Sequence, residues 1–248
     1  EIARASAESL LLDVHGDELL PWAWVAVGPA SILAVELYGR AAARRPLGQV
    51  LGLASLWAAG LLALLLAGRA TALPGAAFGL YVWKDVYVVV LVEAFWARAN
   101  GRFPTHQARW IYGLFTALGS AAGFLAGTLV GPLAARLGTE GALGLLVPWL
   151  ALLGLALVLF ARDAERLQTE KKTRGGLADG LRVVAQSRYL VPLLALVLTT
   201  QLVITLVDWL FNHAVGARFP ILDERTAVIG QVYAAINLGS IAFQLGTG

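Results

Sequence analysis

The chain has 248 residues, of which 58% are hydrophobic and only 14% charged, with a net charge of +3 and a mean hydropathy of +0.72. About a quarter of the residues of a soluble domain are charged, so this composition excludes an ordinary soluble fold and predicts an all-α, multispanning membrane bundle. Cysteine is absent, which excludes disulfide frameworks and cysteine–metal sites.

Residues 1–16, EIARASAESLLLDVHG, are amphipathic and read as the tail of a helix that begins before Glu1. The sequence ends at Gly248 inside an apolar run, so it reads as an internal part of a longer protein; its first residues do not resemble a signal peptide. A span is predicted at Leu19–Tyr38, with Pro21 in its first turn, where a missing N–H is harmless. A short basic loop at 39–46 leads to a second span at Leu47–Ala67, and the loop 68–75 leads to a third at 76–97.

This third span carries Lys84, Asp85 and Glu93 in the run GLYVWKDVYVVVLVEAFWARAN. Asp85 lies about 14 Å from the start of the span at 1.5 Å per residue. A charge at that depth costs roughly 2.5–3.5 kcal/mol on insertion scales and marks substrate or ion pathways. Tyr81, Asp85, Val92 and Trp96 are spaced to share a helix face.

After a polar connection at 98–109, a fourth span is predicted from Trp110 to Leu133. Its glycines at 119, 123, 127 and 131 recur every four residues, a stripe that lets another helix backbone approach closely. A fifth span covers Ala142–Phe160. The charged stretch 161–188 reads as a cytoplasmic linker, dividing an N-terminal half at 1–160 from the start of a C-terminal half at 189–248. A sixth span is placed at Tyr189–Ala217 and a seventh from about Ala227.

In the sixth span, Gln201, Thr205, Asp208 and Asn212 follow i, i+4, i+7, i+11 spacing and line one face. Asp208 lies about 15 Å from Arg218, level with Asp85 near the middle of a bilayer core ~30 Å thick. Together with Lys84, these residues predict a shared polar cavity for substrate. The competing structural reading is a Lys84–Asp208 ion pair that orders the bundle. Glu36 with Arg40, and Glu93 with Arg98, are expected to be salt bridges or parts of a cytoplasmic gate, not ligands for substrate. Trp22, Trp24, Trp83, Trp96, Trp110, Trp149 and Trp209 read as an aromatic belt at span ends. The histidines lack metal-ligand spacing, and no phosphate loop, nucleophile–base pair or zinc pattern occurs. Accordingly no enzyme activity, metal, cofactor or nucleic-acid partner is expected.

Thirteen of the nineteen Lys and Arg fall in 39–46, 98–109 and 161–188. The other side holds Arg4, Arg69, Arg136, Arg218 and Arg225. By the positive-inside rule the first three loops face the cytoplasm, as in a protein of the bacterial inner membrane.

The stretches YVWKDVYVVVLVEAFWARAN, RWIYGLFTALGSAAGFLAG and LVDWLFNHAVGARFP resemble helices four, five and seven of the ATP/ADP translocase (nucleotide transporter) family. That family belongs to the major facilitator superfamily. The resemblance is collinear over nearly the whole chain and implies that it covers roughly helices 2 to 8 of 12. It implies nucleotide exchange by alternating access, with Asp85 and Asp208 in the places of transport-essential glutamates on helices four and seven. Trp24 and Asn212 stand where the family carries lysines, so two direct phosphate partners are replaced. Two readings stand beside this one: a proton-coupled facilitator for another solute, and a transport-inactive anchor or sensor module of a larger protein.

Overall fold

The computed structural model describes residues 1–102, 105–160, 182 and 185–247; the side chains of residues 98, 100–110 and 245–247 are outside that description. Among the described residues the elements are helical: α1 (Ile2–His15), α2 (Leu20–Ala42), α3 (Leu47–Ala70), α4 (Ala76–Arg102), α5 (Thr105–Gly144), α6 (Leu146–Phe160), α7 (Leu190–Arg218) and α8 (Leu222–Thr247). Five segments among the described residues are long and apolar enough to cross a membrane: Leu20–Ala42, Leu47–Ala70, Ile111–Gly144, Leu190–Arg218 and Leu222–Gln244. Their large apolar side chains point outward in number, including Leu196, Leu202 and Leu206 of α7. That pattern is the inverse of a water-soluble fold and suits contact with lipid. The chain is therefore an integral membrane protein of α-helices.

Several expected boundaries shift. The connection read as a polar loop at 98–109 is largely helical, because α4 runs to Arg102 and α5 starts at Thr105. Its polar residues extend the helices beyond the apolar stretch instead of breaking them. The fourth span does not stop at Leu133: α5 continues through Pro132 to a kink at Gly138, whose φ of 73° lies in the left-handed region that glycine enters without steric cost. Helix resumes at Thr139 and, after a turn at Leu145, continues to Phe160. The region read as the linker, 161–188, falls almost wholly outside the described residues.

Three of the four stripe glycines make the expected close approach, and the partner is α8. A Cβ on Gly127 would lie 2.7 Å from the Gly230 carbonyl oxygen, on Gly123 2.5 Å from Asn237 Oδ1, and on Gly131 3.2 Å from Ala227 Cβ. Gly119 faces open space. A second backbone contact joins α3 to α6, where Gly52 and Gly154 face each other and either added Cβ would lie 2.8 Å from the other's carbonyl oxygen.

Helix α1 is built differently from its neighbours. Ala5, Ser6, Ala7, Glu8 and Ser9 are all buried, and the helix packs against α4, α5 and α8. Its small side chains allow neighbours to close around it on several sides. The amphipathic tail expected from the sequence is in fact the centre of the bundle.

The helix order places the turns at 16–19, 71–75 and 219–221 at one end, the His15 end, and the turn at 43–46 at the other. The sidedness expected from the basic residues has a direct test in this cysteine-free chain. An impermeant thiol reagent added to intact cells should label Ala72→Cys and leave Arg44→Cys unlabelled. The opposite pattern would invert the assignment.

Candidate functional site

Four helices converge on a cavity of about 300 Å3. Helix α1 contributes Arg4 and Glu8, α2 Trp24, α4 Tyr81, Lys84 and Asp85, and α7 Gln201, Thr205 and Asp208. Helix α8 closes the arrangement from behind with Tyr233, whose hydroxyl donates to Glu8 Oε2 at 2.9 Å.

Glu8 and Lys84 are the most deeply placed charges around the cavity, with side chains 1% and 4% exposed. Burying a charge is tolerated when it is paired and hydrogen-bonded, and both are. Besides Tyr233, Glu8 accepts from Arg4 Nε at 3.2 Å and faces Lys84 Nζ at 3.5 Å. Lys84 donates to Asp85 Oδ1 at 2.8 Å and lies 3.9 Å from the centre of the Tyr81 ring, a cation–π contact. The Arg4 guanidinium sits at the same distance over Tyr233. Trp24 Nε1–H donates to the Tyr81 hydroxyl at 2.8 Å, fixing the ring beneath the ammonium.

The two acids read from the sequence differ from Glu8 in being open to the cavity, with Asp85 35% and Asp208 22% exposed. The nearest cation to Asp208 is Arg4, whose Nη2 lies 3.8 Å from Oδ1. That separation is too long for a hydrogen bond, and among the described residues none reaches the Asp208 carboxylate. Asp208 is therefore the least tightly held acid of the site.

Of the six predicted substrate-site residues, Lys84, Asp85, Gln201, Thr205 and Asp208 line one cavity. Asn212 does not: it is fully buried, its Nδ2 donates to the Asp208 backbone oxygen at 2.9 Å, and its Oδ1 is without a hydrogen-bond partner. The structural Lys84–Asp208 pair is replaced by Lys84 with Asp85 and Glu8. Neighbouring residues on a helix leave it about 100° apart, but the four-carbon lysine stem curls back across that angle. Arg4, assigned from the sequence to a membrane face, sits at the cavity instead. Two of the belt tryptophans are also inside: Trp24 lines the cavity, and buried Trp83 donates to the Ala58 carbonyl at 3.0 Å.

Of the residues expected at a cytoplasmic gate, Glu36 and Arg40 form the salt bridge read from the sequence. They pair at 2.9 Å, but they lie one turn apart on α2 and both are exposed. Such i,i+4 pairs contribute about 0.3–0.5 kcal/mol and connect nothing beyond their own helix. Glu93 is exposed on α4, and the Arg98 side chain is outside the described residues. The cross-helix network lies at the His15 end. There Arg69 bridges Asp13 of α1 at 3.4 Å and Glu140 of α5 at 3.0 Å, while Arg225 of α8 faces Asp13 at 3.6 Å. Thr139 donates its N–H and hydroxyl to Asp223 Oδ1 at 2.8 and 2.7 Å, and Ser9 donates to the Leu222 carbonyl at 3.1 Å. These contacts tie α1, α3 and α5 to the start of α8.

Asp17, in the turn after α1, adds a contact to α7 through His213 Nδ1 at 2.8 Å. That hydrogen bond holds the Asp17 carboxyl below the usual carboxylate range. A depressed acid contributes stability that is present above its unfolded value and lost as the pH falls through its folded one, so the carboxylate's share of this contact is expected to be lost in acid.

Comparison with family models, with curated proteins and with solved structures gave no match.

Proposed function

We propose that the chain is the transporting part of a major-facilitator-type membrane transporter that works by alternating access. The cavity is its central site and the network at the His15 end one of its gates. The observation that carries this reading is the gathering of three carboxylates and two cations around one cavity, in a bundle that holds five membrane-length apolar helices among the described residues. Ionisable groups are rare in such surroundings and mark substrate and ion pathways.

The resemblance to ATP/ADP translocases implies nucleotide as cargo, but the site favours a smaller solute coupled to protons. A cavity of about 300 Å3 lies at the small end of the 300–1,000 Å3 common for ligand sites. Both cations are already engaged by carboxylates, and the acids outnumber them. A polyphosphate would meet few free donors there. Asp208, open to the cavity and without a hydrogen bond on its carboxylate, is the group that takes up and releases the proton. Thr205 and Gln201, one and two turns before Asp208 on α7, supply uncharged polar contacts.

In proteoliposomes holding the full-length protein, Asp208→Asn and Asp85→Asn are each expected to lower flux at least about tenfold, equivalent to ~1.4 kcal/mol, with the fold retained. Solute-dependent proton uptake, followed with an internal pH dye, supports the proton-coupled reading. Counterflow of labelled ATP against ADP without proton movement would establish nucleotide exchange in its place. Undiminished flux in both variants would remove the cavity as the transport site. No flux with any solute would leave the anchor or sensor reading.

A further inference from the structure

A larger opening than the polar cavity lies elsewhere and has no charge in its lining. Helices α2 and α3 splay apart over α4 to leave a groove of about 850 Å3. Its α2 wall is made by small side chains, Ala26, Ala30 and Ala34, with Ala41 at its end. Fifteen residues separate Ala26 from Ala41, so the groove runs for roughly 22 Å along the helix. One leaflet's share of a ~30 Å hydrocarbon core is about 15 Å, so an acyl chain fits along it. The opposite wall carries Trp57, which is 76% exposed, an apolar ring with no protein cover.

The charge at one end of the groove identifies the occupant. Beyond Ala41, α2 ends and the turn at 43–46 presents Arg44 and Arg45, both exposed and without an ion pair among the described residues. Glu36 is taken by Arg40 at 2.9 Å, and the one other exposed acid described near this end, Glu93, is outnumbered. A long apolar slot that ends beside two uncompensated arginines matches a molecule with a long apolar tail and an anionic head. We propose that this groove binds an anionic phospholipid, one acyl chain lying along the alanine wall beneath Trp57 and the phosphate resting on Arg44 and Arg45. Basic positions between membrane helices recognise anionic headgroups by this combination of charge and depth. The inference does not depend on what, if anything, passes through the central cavity.

Quenching by brominated lipids tests it. The full-length protein is placed in nanodiscs in which one lipid in five is a dibrominated phosphatidylglycerol or, with identical chains, a dibrominated phosphatidylcholine. The Trp57 signal is the difference between the unaltered protein and Trp57→Phe. Phosphatidylglycerol should quench that signal at a mole fraction lower by about fivefold for each arginine engaged. The pair Arg44→Ala and Arg45→Ala lies on an exposed turn, so the fold is expected to survive. It should abolish the preference while leaving quenching by phosphatidylcholine unchanged. Equal quenching by the two lipids would reduce the groove to ordinary lipid contact and overturn the proposal. A preference that survives the arginine changes would overturn it too, and so would a Trp57 that neither lipid reaches.

Discussion

Replacing Glu8 with leucine is expected to cost about 3–5 kcal/mol, since removing one partner of a buried pair leaves the other charge uncompensated. The lower part of that range applies, because Lys84 keeps Asp85 at 2.8 Å. The informative quantity is the coupling. Lys84→Met added to Glu8→Leu removes the charge that the first change stranded, so the double variant should be more stable than the sum of the singles by about 0.5–3 kcal/mol. The same cycle run with Lys84→Met and Asp208→Leu should show a smaller coupling, because Lys84 turns to Glu8 and Asp85 and is joined to Asp208 only through Glu8 and Arg4. Unfolding free energies in mixed micelles give both cycles. Coupling in the Asp208 cycle and none in the Glu8 cycle would restore the ion pair expected from the sequence and overturn the arrangement around α1.

Why α1 escaped a reading of the sequence is a matter of composition. Asp85 and Asp208 stood out because each interrupts a long apolar run, where a charge is conspicuous. Glu8 sits among Arg4, Ser6, Ser9 and Asp13, where a carboxylate looks at home in water. The available signal was the run Ala5-Ser6-Ala7 with Ser9: small residues on every face suit a helix surrounded by other helices, and a surface helix has no need of them. Arg4, four residues before Glu8, supplies the internal counter-charge that makes burial tolerable. The Glu36–Arg40 salt bridge was legible, but it is silent on a gate. Glu36 and Arg40 are neighbours on any helix, so their pairing carried no information about distant helices. The contacts that do cross, such as Thr139 with Asp223, join residues 84 positions apart and leave no periodic trace. The α7 face was legible because its spacing fixes direction, and it failed only at Asn212, where the cavity ends before the stripe does.

The glycine stripe yields the sharpest gradation of outcomes, because its four positions meet four different surroundings. At Gly127 an added Cβ would lie 2.7 Å from the Gly230 oxygen and 2.9 Å from the Ala234 nitrogen. Both are backbone atoms of α8, so neither can turn away and the helices must separate. Gly127→Leu is therefore expected to cost at least the ~1–3 kcal/mol typical of overpacking, and the separation loosens the packing along the rest of the α5–α8 seam as well. At Gly123 the obstacle is the Asn237 side chain, which can rotate, at the loss of its hydrogen bonds to the Tyr233 carbonyl and Glu1 Oε1. Gly123→Leu should thus fall between the extremes. At Gly119 nothing lies within 4 Å, and leucine there removes a residue about 1 kcal/mol less favourable than alanine in a helix. Gly119→Leu should leave the thermal midpoint unchanged or raise it slightly. The ranking, with Gly127 lowest and Gly119 highest, separates a specific seam from a general preference for glycine. Equal falls at all three positions would mean that helix flexibility is what the glycines supply, whereas no fall at Gly127 would mean that α5 and α8 do not meet there. Because α8 also carries Tyr233 against Glu8, a Gly127→Leu protein that remains folded should lose part of the Glu8–Lys84 coupling too.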